Sequence, residues 1–167
     1  HIQPLSPMDA REGPLDTRVK DIVQAKDTLT DADGVLTAHP SATVFECIGR
    51  MVDHDVGSIV VMDDGAIAGI FTERDYMRSI ALEGRSSRET AVREVMEPEV
   101  AKVGPEKPLV DCMHLMTKLR CRHLPVVDAE GGLRGIVSIG DCVKRVLDTA
   151  RAETDRLQRF VRGGYPG

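Results

Sequence analysis

Gly69-Ile70-Phe71-Thr72-Glu73-Arg74-Asp75 and Gly135-Ile136-Val137-Ser138-Ile139-Gly140-Asp141 follow one pattern. Each runs glycine, two apolar residues, a hydroxyl residue, two free positions and an aspartate. The match continues upstream: SIVVMDDGAIAGIFTERD aligns with HLPVVDAEGGLRGIVSIGD once one residue is inserted in the turn. Further back, His39-Pro40 aligns with Gly104-Pro105 and Met51 with Met116, both 65 residues apart (104 − 39, 116 − 51). The aspartates are 66 apart (141 − 75), which absorbs the insertion. An internal repeat defines architecture before any single residue does, and two units this short bury their apolar faces against each other.

Working outward, Ser58 to Met62 and Ile67 to Phe71 read as strands around an Asp63-Asp64-Gly65 turn. Val35 to Thr37 reads as a short strand before them. A helix opening at Pro40-Ser41 should bury Val44, Ile48, Met51 and Val52. Thr72 should cap a helix running through Leu82, with Asp75 in its first turn and Gly84 as its stop. A short helix is expected around Val92 to Met96. The second unit repeats the order: strand Val100 to Val103, helix Leu109 to Leu119, strands Leu124 to Val127 and Leu133 to Val137 around a turn at Ala129 to Gly132. Its last helix, from Ser138, meets no Gly or Pro between Leu147 and about Val161. The expected divisions are a flexible tail over 1–16, an N-terminal helix and linker over 17–29, unit one over 30–84, a connecting helix and unit two over 85–147, and a helix extension and tail over 148–167.

Composition narrows the function. The chain has 167 residues, 41% hydrophobic and 29% charged, which is globular rather than disordered. Aromatics are 3% with no Trp, which argues against base-stacking platforms. A formal charge of −5 disfavours broad attraction to nucleic acid or anionic lipid. No apolar run nears the ~20 residues a membrane helix needs. The chain starts at His1, so a processed or trimmed form is expected, organellar (mitochondrial included) if a targeting peptide was removed and cytoplasmic otherwise. The four cysteines show no zinc spacing, and no metal is implied. Cys47 and Cys112 hold equivalent helix positions and read as core residues. Cys121, between Arg120 and Arg122, reads as a redox-sensitive thiol with a lowered pKa. No GxSxG, HExxH, P-loop or GxGxxG is present, so an enzyme is not expected.

The paired motifs carry the chemistry. At a helix start the free N–H groups favour anions. A hydroxyl there suits a phosphate oxygen, and a carboxylate one turn on accepts from a ribose hydroxyl. Thr72 with Asp75, and Ser138 with Asp141, have this arrangement; plain helix capping is the preferred reading of either pair in isolation, and their doubling is what favours a ligand. Arg74 beside Asp75 has the fork to grip phosphate, or is a solvated helix charge. Its counterpart is Gly140, so the two sites are expected to be unequal, the first tighter.

Each unit resembles a CBS domain, and the chain is similar to a CBS tandem, or Bateman module, over residues 30 to 147. The hydroxyl-x-x-Asp ending after a strand in both copies carries the resemblance. TERDYMRSIALEGRSSRETAVREVM and the closing RGGY are similar to small stand-alone two-CBS proteins of plants and bacteria. The implied fold is α/β: two repeats, each a small mixed sheet with helices, packed as a pseudo-two-fold module. The implied function is regulatory, with an adenine nucleotide (AMP, ADP or ATP) or S-adenosylmethionine in the cleft between units. The resemblance places the strand entries Gly57-Ser58 and Arg122-His123, with Pro125, at that cleft beside Thr72, Arg74, Asp75, Ser138 and Asp141. It further implies a homodimer through apolar helix faces and a regulated partner, thioredoxin among plant relatives, in redox regulation. A structural dimerisation module with degenerate sites is the alternative.

Overall fold

The structure, a computed structural model, describes residues 16–25 and 35–163. Apart from Asp16, the expected tail over 1–16 lies outside the described residues, as does the linker over 26–34. Unit one contains β1 (Thr37–Ala38), α2 (Val44–Asp53), β2 (Ser58–Asp63), β3 (Ala66–Thr72) and α3 (Glu73–Tyr76). Unit two contains α4 (Leu109–Leu119), β4 (His123–Val127), β5 (Leu133–Ser138) and α5 (Ile139–Gly163). A preceding helix, α1, spans Val19–Ala25.

Local chemistry explains the hairpin and the first long helix. Asp64 and Gly65 both have positive φ (48° and 80°), the geometry a two-residue turn needs to keep the twist of β2 and β3. β1 pairs parallel to β2, and β2 antiparallel to β3, so the sheet of unit one is mixed. The helix α2 begins at Val44 rather than Pro40 because Thr43 caps it. Thr43 Oγ1 accepts from Glu46 N (3.1 Å), and Glu46 Oε2 accepts from Thr43 N (3.1 Å). Its buried stripe is Val44, Cys47 and Met51; Val52, expected to be buried, is 72% exposed.

Other expectations shift. The strand expected at Val35 to Thr37 forms at Thr37–Ala38, with Val35 and Leu36 buried ahead of it. Val100 to Val103 forms no strand; only Val103 bridges to β4, in parallel, while β4 and β5 pair antiparallel. Pro98 and Pro105 bracket that segment and remove ladder donors at both ends. The helix after Thr72 is one α-turn, then a π-helix over Met77–Leu82, marked by Glu83 N donating to Arg78 O (3.1 Å). Val92–Glu94 is a single 3-10 turn whose Glu94 carboxylate accepts from Ala91 N (2.9 Å) and Arg85 (2.8 Å). Those partners, Ala91 N–H first, hold Glu94 below the usual carboxylate range.

The two cores do not follow chain order. Val19 and Ile22 of α1 pack with Val103, Leu109, Cys112, Met116, Leu124, Val126, Val137 and Cys142 of unit two. Val92 and Val95 pack with Leu36, Val44, Cys47, Met51, Ile59, Val61 and Phe71 of unit one. The two docking segments are themselves a repeat, Thr17-Arg18-Val19-Lys20-Asp21-Ile22-Val23 against Thr90-Ala91-Val92-Arg93-Glu94-Val95-Met96. Their backbone bonds correspond. Leu109 N donates to Thr17 O, and Val44 N to Thr90 O; Val19 N donates to Lys107 O, and Val92 N to Ala42 O. Each segment closes on a strand glycine. A Cβ on Gly135 would stand 2.8 Å from Val23 Cγ1. One on Gly69 would stand 2.6 Å from Met96 Sδ and 2.7 Å from Glu97 O.

Gly69→Ala is therefore expected to destabilise by about 1–3 kcal/mol in urea unfolding, since the Glu97 carbonyl is paired to Ile70 and cannot turn aside. Gly49→Ala, with nothing within 4 Å of its Cβ position on α2, should be neutral or stabilising by up to about 1 kcal/mol. Equal effects at the two positions would contradict this packing.

Candidate functional site

Each hydroxyl-x-x-Asp motif sits where a strand turns into a helix, and each forms a reciprocal capping box. Asp75 Oδ2 accepts from Thr72 N (2.9 Å) and from the Thr72 hydroxyl (3.1 Å), while Asp75 N donates back to Thr72 Oγ1 (3.4 Å). Asp141 Oδ2 accepts from Ser138 N (2.9 Å) and the Ser138 hydroxyl (2.7 Å), with Asp141 N donating to Ser138 Oγ (3.1 Å). The same clamp is thus built twice, one oxygen of each carboxylate fixing the backbone.

The strand entries tie into these clamps. Glu73 N donates to Gly57 O (3.1 Å), and Ile139 N donates to Arg122 O (2.9 Å), the same bond in each unit. In register, Ser58 faces Thr72 and His123 faces Ser138. The units meet at these entries. A Cβ on Gly57 would lie 3.3 Å from Glu73 Oε1 and 3.4 Å from His123 Nε2, so His123 of unit two stands over the backbone of unit one. Arg74 is exposed and its Nη1 reaches Arg120 O at 3.5 Å, across the units. Arg120 ends α4 in the left-handed region (φ 53°), leaving a carbonyl that favours a cation.

Gly57, Thr72, Arg74 and Asp75 are thereby brought together with His123. Ser138 and Asp141 form the second clamp, next in register to His123. Arg122 is exposed at the entry of β4. Pro125 is fully buried in β4, where its carbonyl accepts from Val103 N (3.0 Å). Three nearby residues were not read from the sequence: Glu73, Arg120 and Arg78. Arg78 Nη2 binds Asp75 Oδ1 at 3.0 Å. Its spacing of three residues from Asp75 on a helix was a legible signal. Glu73 lies inside the first motif, with its side chain beside Gly57 of the same unit, whereas Arg120 is brought in only by the contact between units. An open recess of about 430 Å³ beside α2, lined by His39, Phe45 and Arg50 among others, contains none of these residues.

A model of the CBS domain matches residues 19–82 and again 92–148. The chain belongs to the CBS-domain family. This CBS pair is 40% identical over 154 residues to the CBS domain-containing protein CBSX3, mitochondrial, of Arabidopsis thaliana, covering 89% of this chain and 74% of that one. It is 42% identical to a solved structure of a putative signal-transduction protein with CBS domains from Burkholderia ambifaria, with a TM-score of 0.73, covering 79% of this chain and 95% of that one. A solved structure of CBSX2 in complex with AMP has a TM-score of 0.61 at 26% identity, covering 78% of this chain and 96% of that one. Among the described residues of the pair, no helix is long and apolar enough to cross a membrane, and no group of three His, Cys, Asp or Glu residues converges.

None of the four cysteines of the CBS pair is in a disulfide. Burial pushes Cys47 and Cys112 up to about 11. The expectation of a lowered pKa at Cys121 is corrected. Burial against the core of unit two raises it, and this outweighs hydrogen bonds from the Cys121 and His123 backbone. The flanking Arg120 and Arg122 are both exposed. Titration of the folded protein with a thiol-reactive disulfide at pH 8 should therefore show slow reaction at Cys121 and none at buried Cys47, Cys112 and Cys142 until denaturant is added. Rapid stoichiometric modification of Cys121 would contradict this.

Proposed function

We propose that this CBS pair is a regulatory module that takes an adenine nucleotide in the cleft between its units and relays occupancy to a partner protein. The observation that carries the reading is the doubled hydroxyl–carboxylate clamp, with His123 of one unit over Gly57 of the other. A ribose carries two neighbouring hydroxyl donors, which suit a fixed carboxylate such as Asp75 or Asp141. A phosphate suits the cations at the first clamp, Arg78 and Arg74, with Arg122 at the strand entry of the other unit. AMP is the ligand we favour, and the AMP complex of CBSX2 supports it. The relay would work by differential affinity: ligand favours one relative arrangement of the units, and the partner reads that arrangement. Thioredoxin is the partner the family resemblance suggests, and the mitochondrial name of CBSX3 fits an organellar setting.

A purely structural role has one observation in its favour. Asp75 is already satisfied within the chain by Thr72 and Arg78. Calorimetry with AMP, ADP, ATP and S-adenosylmethionine separates the two readings. At 100 times its dissociation constant, a ligand should stabilise the fold by about 2.7 kcal/mol. Asp75→Ala should weaken the tightest binding event more than Asp141→Ala, because the first clamp has the larger set of cations; circular dichroism should show both variants folded. No binding and no melting shift at millimolar nucleotide would leave only the structural reading.

The pair should also self-associate. Val52, Met77, Leu82, Leu119, Val143 and Leu147 are exposed, although each belongs to a helix that packs on a core. Val44 is fully buried, so a charge there would test the core instead of an interface. Light scattering of the wild type at tens of micromolar should give a dimer mass, and Leu147→Glu or Met77→Glu should shift it toward monomer while leaving the far-ultraviolet spectrum intact. A monomer mass for the wild type would contradict this.

A further inference from the structure

Asp75 has both carboxylate oxygens in use. Oδ2 closes the capping box with Thr72, and Oδ1 holds Arg78 Nη2 at 3.0 Å. The two partners differ in freedom. The side chain of Asp75 is 7% exposed and anchored by the backbone N–H and hydroxyl of Thr72; that of Arg78 is 52% exposed on a long flexible stem. Arg78 also lies within the π-helical stretch, where its own carbonyl accepts from Glu83 N (3.1 Å). The other nearby arginine, Arg74, is turned toward Arg120 O. In unit two the position 66 residues on is Lys144 (78 + 66), on a regular α-helix.

We propose that Arg78 is a clasp on the first site that admits phosphorylated nucleosides and resists neutral ones. This rests on the reading of Asp75 as a ribose acceptor. A ribose hydroxyl needs Asp75 Oδ1, and the guanidinium occupies it. A neutral nucleoside must break a charge-assisted pair at a buried carboxylate and offers the guanidinium no anion in return. A nucleotide brings its own anion. The ribose takes the carboxylate, the guanidinium swings to the phosphate, and the number of charge-assisted contacts is conserved. The planar fork of Arg can bind two phosphate oxygens, which the point charge of Lys144 cannot match. Selection for the phosphate therefore resides in the first unit, and it follows from the contact Arg78 makes before any ligand arrives.

The test is calorimetric titration of wild type, Arg78→Gln and Arg78→Lys with AMP and with adenosine, each variant checked for fold by circular dichroism. The wild type should prefer AMP. R78Q should bind AMP about tenfold or more weakly, the loss of one charge-assisted contact, and should bind adenosine more tightly than the wild type does. R78K should keep part of the preference for AMP. The gain in adenosine affinity is the deciding readout, since a merely structural role would weaken both ligands together. If R78Q does not fold, R78K carries the test through a reduced AMP-to-adenosine ratio. A wild type that binds AMP, with a ratio unmoved in the folded variants or with both affinities falling in parallel, overturns the clasp alone. A wild type that binds neither compound overturns the nucleotide reading, and the clasp with it.

Discussion

Each unit finishes its core with residues that precede the other unit in the chain, and the rest of the arrangement depends on this exchange. Val19 and Ile22 fill the core of unit two, and Val92 and Val95 fill that of unit one. The fit needs bare backbone at two strand positions, Gly69 and Gly135, because a methyl group at either meets the docked segment below 3.0 Å. With both segments seated, the strands β2 and β4 are held so that Gly57 and His123 meet. The cleft proposed to bind ligand is thus a by-product of how two small cores are closed.

At the clamps, one set of atoms serves structure and binding. Thr72 and Ser138 cap helices, and Asp75 and Asp141 lock those caps from three residues on. A capping box explains the residue pattern completely, which is why one copy says little about ligands. What separates function from capping is the second oxygen of the carboxylate and what stands near it. In the first unit that oxygen faces a movable cation. A carboxylate held rigid by its own backbone is also well suited to recognise a ribose, because little ordering is left to do when the sugar arrives.

Much of this was legible in the chain. The GIFTERD and GIVSIGD copies located both hairpins, both clamps and the family. The Asp64-Gly65 turn and the helix Leu109–Leu119 followed from local chemistry alone. The docking repeat escaped notice because its copies are 73 residues apart (90 − 17) while the rest of the unit repeats at 65, and because each copy packs on the unit that does not follow it. Val52 follows Met51 one step around α2, which carries it off the buried stripe and into solvent. The arginines beside Cys121 in sequence suggest an acidic thiol, whereas burial raises its pKa. The π-helical stretch at Met77–Leu82 has no residue signature of its own.

The exchange of docking segments bears on how such a fold could arise from a single repeat. One repeat alone would carry a docking segment without a seat and a core without its last residues. It could satisfy both only by pairing with another copy, at a stability that varies with concentration. Joining two copies in one chain makes that association intramolecular, at an effective concentration on the order of millimolar for a short flexible connection. Once joined, the two copies no longer need to be identical, and one can gain an Arg78 where the other keeps a Lys144.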